Sequence, residues 1–266
     1  MAAGWERDRE TLAEVSREIE QWLVDAIDPK PGETVLELAA GAGDTGLRLA
    51  SRVAPGGRLI SSDFSPQMVE VARRRAAELG VVNVEFRVLD AQELDLGDEC
   101  VEAVVSRWGY MLMEDVGAAL AETRRVLRPD GRVALSVWAG PAENPWAAAP
   151  AQTFVALGLM APPDPHAPGI FSMADPTRVH ALLTEAGLVE TRLEHVEMTW
   201  RFPSFDAYWT FLTDLAGAIS MVAAELSPTE AAHARAALSD VVAPYRGPAG
   251  LMLPGVCLNA LARRAE

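Results

Sequence analysis

The sequence predicts an α/β protein with a doubly wound, mostly parallel sheet. Apolar segments of strand length alternate with longer segments whose apolar residues recur every three or four positions, as on one face of a helix. The predicted strands of the first half cover residues 34–38, 57–63, 84–90, 101–106 and 132–138. Strands that alternate with helices form a parallel sheet covered on both faces. Right-handed crossovers then bring the loops after the strands to one edge, where such sheets bind ligands.

Residues that cap or break helices bound the predicted helices of this half. The first helix stops before Pro29, and the fourth stops before Pro129. Ser65 and Pro66 supply an N-cap and a first helical position for the third. The predicted helices cover, in order, residues 6–27, from 47 onward, 66–79 and 116–127.

The second half departs from the simple alternation. A Pro- and Ala-rich stretch at 140–171 is too long for an ordinary connection and is predicted to be a functional flap or partly mobile. A helix that begins at Pro176 and a strand at 190–202 follow. Residues 203–247 then form a helical insertion before the last strand, at about 251–262.

We read the chain as one domain, residues 1–266, with insertions, because no repeat or linker divides it. Its parts are an N-terminal helical cap at 1–31, a ligand-binding core at 32–138, the flap and the helical insertion.

Composition and charge favour a protein that acts on small molecules. The 23 basic and 38 acidic residues give a formal net charge of −15, which disfavours binding to nucleic acid or to anionic membranes. No apolar run approaches the roughly 20 residues of a membrane-spanning helix, and the charged N-terminus does not resemble a secretory signal. We therefore expect a cytoplasmic protein. Cys100 and Cys257 lack the paired spacing of a zinc or redox motif and are expected to be reduced thiols.

The most informative segment is a glycine-rich turn after the first strand. Residues 41–46 read Gly-Ala-Gly-Asp-Thr-Gly and fit the G-x-G-x-x-G pattern, with Asp63 about 20 residues later as a partner for ribose hydroxyls. NAD would satisfy this pattern, and so would another nucleoside with a carboxylate tail. The only lysine, Lys30, precedes the first strand, so the Tyr–Lys pair of many dehydrogenases is not available.

The wider sequence at 32–138 resembles the class I S-adenosylmethionine-dependent methyltransferases, particularly the ubiquinone and menaquinone biosynthesis methyltransferases and their small-molecule relatives. Residues 35–44 are similar to the family's first motif, with Ala39 where glycine is usual. Residues 62–68, 89–92 and 127–132 are similar to its later motifs. The resemblance implies a Rossmann-like, seven-stranded sheet with an antiparallel last strand.

The resemblance also implies which residues bind S-adenosylmethionine and its product, S-adenosylhomocysteine. Asp63 would accept hydrogen bonds from both ribose hydroxyls, and Asp90 would bind the adenine amino group. The other implied contacts lie on the turn, around adenine and near the methionine part; the full set is Glu37, Ala39, Gly41, Gly43, Asp63, Phe64, Met68, Asp90, Ala91, Ser106 and Arg107.

The residues that bind the methyl acceptor are less clearly indicated by the sequence than those that bind the cofactor. Trp108 and Tyr110 follow the fourth strand and are candidate acceptor contacts, with core packing an equal alternative. Tyr208 and Trp209 lie on the apolar stripe of the insertion, which either encloses an acceptor as a lid or packs on the sheet edge. His166, in the flap, is a weak candidate for a catalytic base and an acceptor contact. No carboxylates cluster at the end of the fourth strand, so we expect no metal.

Three functions remain open from the sequence. The first is methyl transfer to a small, partly apolar metabolite. The second is non-methylating binding of S-adenosylmethionine, as in a regulatory or cyclase-like protein. The third, less favoured, is an NAD-dependent dehydrogenase. The sequence does not define the acceptor, the methylated atom or the oligomeric state.

Overall fold

The computed structural model describes residues 9–164, 167–215 and 217–265. Its helices and strands, in chain order, are α1 (Arg9–Ile27), β1 (Thr34–Glu37), α2 (Asp44–Val53), β2 (Arg58–Asp63), α3 (Pro66–Leu79), β3 (Val84–Val88), β4 (Val101–Arg107), α4 (Val116–Val126), β5 (Leu127–Trp138), α5 (Pro145–Ala156), α6 (Pro176–Glu185), β6 (Leu188–Phe202), α7 (Phe205–Leu215), α8 (Ala218–Glu225), α9 (Pro228–Val241), β7 (Arg246–Gly247) and β8 (Gly250–Arg264).

The strands form one mixed sheet in the order β3-β2-β1-β4-β5-β8-β6, and the two-residue β7 pairs with β8 outside this path. The pairs β1–β2, β1–β4, β2–β3 and β4–β5 are parallel. The last strand, β8, is antiparallel to β5. The predicted fold class, a Rossmann-like, doubly wound, mostly parallel sheet with an antiparallel last strand and a helical insertion, is confirmed. The sheet has eight strands instead of the predicted seven, because the two-residue β7 joins the seven strands of the main path.

Local sequence explains the boundaries of several elements. The Ser65 side chain caps α3 by accepting a hydrogen bond from the Met68 N–H, and Gly80 ends the helix at a φ of +67°. In β5, the pairing with β4 jumps from Leu127 to Arg132, so the residues between them loop out of the ladder. Asp130, at a φ of +62°, lies in this loop, directly after Pro129, where the sequence predicts that the fourth helix has ended.

The described residues divide into two compact units. The first unit holds the described residues of Met1–Ser16, Gly140–Pro165 and Glu197–Val256. The second unit holds those of Arg17–Ala139, His166–Val196 and Cys257–Glu266.

The second unit contains the parallel part of the sheet. Helix α2 packs on β1 and β2, α3 packs on β2 and β3, and α4 packs on β5. The strand residues between these helices are fully buried and apolar, as expected for strands covered on both faces. They include Val35, Leu36, Leu59, Val104 and Leu135.

The first unit has an aromatic core. Trp200 packs against Trp146, Phe202 and Phe211, with ring centroids 4.4, 6.2 and 5.1 Å away. Tyr208 joins this cluster through Phe202, at 5.0 Å. All five side chains are buried, so the apolar stripe of α7 is a packing face within this unit.

Two polar contacts hold α5 in the same unit. The Asn144 side chain bonds both the N–H and the carbonyl of Val256, at 3.0 Å each. Pro150 lies inside α5 and has no N–H, so it cannot donate to the carbonyl of Trp146 four residues earlier. The Tyr208 hydroxyl donates to that carbonyl instead, at 2.5 Å.

Two regions contain helices that the sequence did not delimit. The stretch 140–171 contains the twelve-residue helix α5, because its alanines favour a helix and Tyr208 satisfies the carbonyl that Pro150 leaves free. The role of this stretch as a flap stays a prediction. The stripe of the insertion is broken at Gly217, at a φ of +45°, so α7 and α8 are separate helices.

No single helix in the described part of the chain is long and apolar enough to cross a membrane. Helices α7 and α8 pass that test only as a pair, by length and composition, and they are bent by 98°.

Candidate functional site

The glycine-rich turn between β1 and α2 is built on a buried carboxyl group. Glu37, the last residue of β1, accepts hydrogen bonds from the Gly46 N–H, at 2.7 Å, and from the Ser61 hydroxyl, at 3.1 Å. A side chain at position 46 would clash with this carboxyl group. Burial raises the pKa of Glu37 to about 7. Glu37 thus supports the turn from beneath, as the resemblance implies.

The turn itself passes through left-handed backbone. Ala39, Gly41 and Gly43 have φ angles of +53°, +56° and +82°. Glycine adopts this region freely, whereas alanine is strained there. The Ala39 methyl also requires a glycine opposite, because a Cβ at Gly109 would lie 2.6 Å from it.

Asp63, at the end of β2, is fixed by two backbone groups. Its carboxylate oxygens accept hydrogen bonds from the Gly41 N–H, at 2.8 Å, and the Ser65 N–H, at 2.9 Å. The first bond joins the end of β2 to the glycine-rich turn. Phe64 extends from this corner with 75% of its surface exposed, and Met68 lies beside Gly41.

Asp90 follows β3 and lies at the next strand end. The Leu89 N–H donates to the Asp63 carbonyl at 3.2 Å, which places the two carboxylate residues on adjoining strands. Asp90 accepts hydrogen bonds from the backbone and side-chain N–H groups of Gln92, at 2.9 and 3.1 Å. Ala91 is nearly buried.

Ser106 and Arg107 end β4 on the other side of the turn. The Ser106 hydroxyl is buried and has no hydrogen-bond partner among the described residues. Arg107 reaches the turn, where it donates to the Thr45 hydroxyl at 3.2 Å and lies 3.6 Å from the Asp44 carboxylate. Its guanidinium is also 3.8 Å from Glu20 of α1. The ends of β1, β2, β3 and β4 therefore bring the predicted cofactor residues to one edge of the second unit.

The two acceptor candidates after β4 have different surroundings. Trp108, at a φ of +62°, is half-buried, and its indole N–H donates to the Cys257 sulfur at 3.1 Å. It stacks on Trp138 at 4.7 Å. Tyr110 is fully buried, and its hydroxyl is 2.6 Å from that of Thr123. Burial also raises the pKa of Tyr110. These surroundings agree with core packing, one of the two alternatives that the sequence left open for Tyr110.

Comparison with known proteins agrees with this geometry. A family described as a methyltransferase domain matches residues 35–131. Nocamycin O-methyltransferase of Saccharothrix syringae is 31% identical over 219 residues, which cover 77% of this chain and 77% of that protein. The chain belongs to the S-adenosylmethionine-dependent methyltransferases.

Two further similarities define how far this relation extends. The ubiquinone/menaquinone biosynthesis C-methyltransferase UbiE of Acidiphilium cryptum is 40% identical over 111 residues, which cover 41% of this chain and 44% of that protein. This chain thus spans less than half of that relative's length. The crystal structure of the YcgJ protein from Bacillus subtilis has a TM-score of 0.65 at 19% identity, covering 93% of this chain and 98% of that one, and shows the shared fold.

Membership confirms the predicted family, fold and enzyme type, and it sets aside the NAD-dependent alternative. Methylation of small molecules with S-adenosylmethionine as donor is the reaction of this methyltransferase. Membership of the family does not by itself define the acceptor molecule or the atom that is methylated.

Two of the other predicted acceptor residues of the methyltransferase, Tyr208 and Trp209, belong to the first unit. Tyr208 is fully buried in the first unit, with its hydroxyl on Trp146, and is a core residue rather than an exposed lid contact. Trp209 is half-buried, 6.4 Å from the Phe154 ring. His166 lies outside the described residues.

Two buried polar residues of the methyltransferase, Glu20 and Asn259, were not identified from the sequence. Glu20 forms ion pairs with both Arg48 and Arg107. In the sequence it follows the apolar Ile19 within a predicted helix, a pattern that is typical of a surface residue. Asn259 is fully buried in the middle of β8. A polar residue within an otherwise apolar strand was the available signal for Asn259. Over the described ranges, no three His, Cys, Asp or Glu residues are arranged to hold a metal ion.

Proposed function

We propose that this methyltransferase transfers the methyl group of S-adenosylmethionine to an oxygen atom of a small, partly apolar molecule without a metal ion. The similarity to an O-methyltransferase over 219 residues supports oxygen as the methylated atom, since it extends well beyond the 35–131 core. A cytoplasmic location and the absence of nucleic-acid or membrane partners stay predictions from charge and composition.

The observation that carries this proposal is the pair of carboxylates, Asp63 and Asp90, at adjoining strand ends. A carboxylate has about four acceptor positions. In Asp63 the Gly41 and Ser65 N–H groups use two, one on each oxygen, which leaves one on each for two ribose hydroxyls. The exposed ring of Phe64 beside it offers an apolar surface to adenine.

The methionine end would lie against the turn and the end of β4. The unpartnered Ser106 hydroxyl is placed to accept from an ammonium group, and Arg107 to attract a carboxylate. The left-handed turn from Ala39 to Gly43 directs backbone rather than side chains at the ligand. These residues fit the cofactor that the family implies.

When bound, S-adenosylmethionine supplies a methyl group on a positively charged sulfur, which becomes a neutral thioether in S-adenosylhomocysteine. The chain then has to align the acceptor oxygen with that methyl, and alignment alone lowers a barrier by roughly 7–11 kcal/mol. The new bond joins oxygen to methyl, and the hydroxyl proton leaves to solvent or to a base. We assign no base, and His166 stays the candidate from the sequence.

Trp209 of the helical insertion is the remaining candidate for an acceptor lid. It is half-buried, whereas its neighbours on the stripe, Tyr208 and Leu212, are packed inside the first unit. A role in enclosing the acceptor is therefore proposed for Trp209 and not for Tyr208.

Calorimetry tests the cofactor part of the proposal. The protein should bind S-adenosylmethionine and S-adenosylhomocysteine, and NAD much more weakly. Asp63→Ala should weaken cofactor binding by about 2–4 kcal/mol, because two hydrogen bonds to a charged acceptor are lost. Asp95→Ala is the matched control, since Asp95 is 94% exposed and the charge change is identical.

Three results would contradict parts of this proposal. If the protein bound NAD as tightly as S-adenosylmethionine, the assignment of S-adenosylmethionine as the cofactor would be excluded. If folded Asp63→Ala kept its affinity for S-adenosylmethionine, Asp63 would not bind the ribose. A panel of hydroxyl-bearing metabolites with methyl-labelled donor tests catalysis. Cofactor binding without any labelled product across the panel would favour the non-methylating alternative.

A further inference from the structure

A row of buried polar side chains crosses three neighbouring strands of the second unit. Ser136 on β5 is in register with Arg107 on β4 and with Asn259 on β8. Residues in register on neighbouring strands project from the same face of a sheet, so the three side chains lie side by side. We call them the Ser136 row.

The Ser136 row holds hydrogen-bonding groups that the protein does not use. Both amide atoms of Asn259, which is fully buried, have no partner in the described parts of the chain. Nη1 of Arg107, whose side chain is 10% exposed, has no hydrogen-bond partner among the described residues and only an ion-pair contact with Glu20, at 3.8 Å. The buried Ser136 hydroxyl faces only the weakly polar thiol of Cys257.

Buried polar groups without hydrogen-bond partners lower the stability of the folded protein. Leaving a buried amide unpaired costs free energy, whereas an apolar side chain of the same size would not. Leu261 of β8 and its partner Ala134 of β5 lie on the same face of the sheet as Asn259 and Ser136 and are apolar, so this face accepts apolar residues. Unpaired groups that persist in a core point to a ligand that pairs with them.

The position of the row indicates which ligand. Arg107 contacts Asp44 and Thr45 of the glycine-rich turn, so the row begins beside the methionine end of the proposed cofactor site. On its other side, the Arg107 guanidinium lies over the Trp108 ring at 4.6 Å. Trp108 stacks on Trp138, which gives a flat aromatic surface at the ends of β4 and β5.

The backbone of Trp108 supports a functional role for this corner. A bulky residue at a φ of +62° is strained, and such strain persists where the surroundings hold it in place. The hydrogen bond to Cys257 and the stack on Trp138 hold the indole here.

We propose that the Ser136 row binds the polar end of the methyl acceptor, with Trp108 against the acceptor's ring. The amide of Asn259 presents one donor and one acceptor side by side. It therefore complements a planar ring that carries a carbonyl oxygen next to a hydroxyl or amide N–H, and Arg107 can donate to the same carbonyl. This inference rests on the proposed function, because it places the acceptor beside the cofactor.

Salicylamide is a suitable probe, since it has a ring, a carbonyl, an amide and an adjacent hydroxyl. Toluene is its control, with the ring and no polar group. Both are titrated by NMR into the full chain, with and without S-adenosylhomocysteine. Salicylamide should bind at least tenfold more tightly than toluene and shift the side-chain amide signals of Asn259.

Two substitutions test the contacts. Asn259→Leu keeps the branched shape and the number of heavy atoms of the side chain, and the double variant with Ser136→Ala should lose most of the preference for salicylamide over toluene. Cofactor affinity should not change, and thermal stability should not fall, because an unpaired amide is removed. Ser51→Ala, on the exposed side of α2, is the control and should behave as the unmodified protein.

Each outcome decides one point. Equal binding of the two probes, with no shift of the Asn259 signals, would overturn the inference and leave the row with internal water only. The same conclusion follows if the double variant still binds salicylamide more tightly than toluene. Loss of cofactor binding in the unmodified protein would instead contradict the proposed function, and the titration without S-adenosylhomocysteine would still decide the probe result.

Discussion

Glu37 gives the methyltransferase a pH dependence whose sign follows from its burial. The pKa of this carboxyl group is raised from 4.5 to about 7 in the folded protein because burial disfavours its charged form. A raised pKa means that the folded state holds the proton more strongly than the unfolded state. Its contribution to stability is therefore complete below pH 4.5 and is lost as the pH rises through 7.

The perturbation is Glu37→Gln, which cannot ionise and keeps an oxygen for the Gly46 N–H. The pKa difference of about 2.5 corresponds to about 3 kcal/mol in total, of which about 2.5 kcal/mol is lost between pH 5 and pH 8. The variant should therefore gain about 2.5 kcal/mol over the unmodified protein across that interval. Urea unfolding followed by tryptophan fluorescence at the two pH values measures this gain.

Glu33→Gln is the matched control. Glu33 is ion-paired with Arg132, and its pKa is lowered, so its contribution changes only below pH 4.5. Its effect on stability should be equal at pH 5 and pH 8. If Glu37→Gln also changed stability by the same amount at both values, the carboxyl group would titrate normally and the reasoning would fail.

Four other substitutions test three separate features. Ala39→Gly should stabilise the protein by about 0.5–1 kcal/mol in urea unfolding, because it relieves left-handed strain, whereas Gly109→Ala should destabilise it by about 1–3 kcal/mol through overpacking against Ala39; equal effects would contradict the turn geometry. Asn144→Ala should cost about 3 kcal/mol and expose the Val256 amide to hydrogen exchange, since its side chain bonds both backbone groups of that residue; unchanged protection there would refute this. Trp209→Ala should raise the acceptor KM and spare cofactor affinity, and a parallel loss of cofactor affinity and stability would make Trp209 a core residue.

The cofactor turn could be predicted from sequence because its geometry is local. Gly41 and Gly43 follow a strand directly, and Asp63 ends the next strand, so short segments define the backbone on each side. Parallel pairing of β1 with β2 then places them together. Asp90 follows by the same rule from β3.

The acceptor residues could not be predicted in this way because their surroundings are set by distant parts of the chain. An aromatic residue on an apolar stripe has the same pattern whether it packs or binds. Tyr208 is in the core because of Trp146, 62 residues earlier. Likewise, α5 tolerates Pro150 only because Tyr208 satisfies the carbonyl that Pro150 cannot. Asn259 is in register with Ser136 only once β8 has paired with β5.

The sheet order has a consequence for biosynthesis. Strand β8 lies between β5 and β6 in the sheet, although it is synthesised after both of them. Until then, the nascent chain carries β5 and β6 with unpaired backbone edges, which are prone to pair with other chains. Premature termination before Gly250 would leave a protein with an intact cofactor turn and a split sheet, so truncated products of this gene should accumulate as aggregates and not as partly active enzyme.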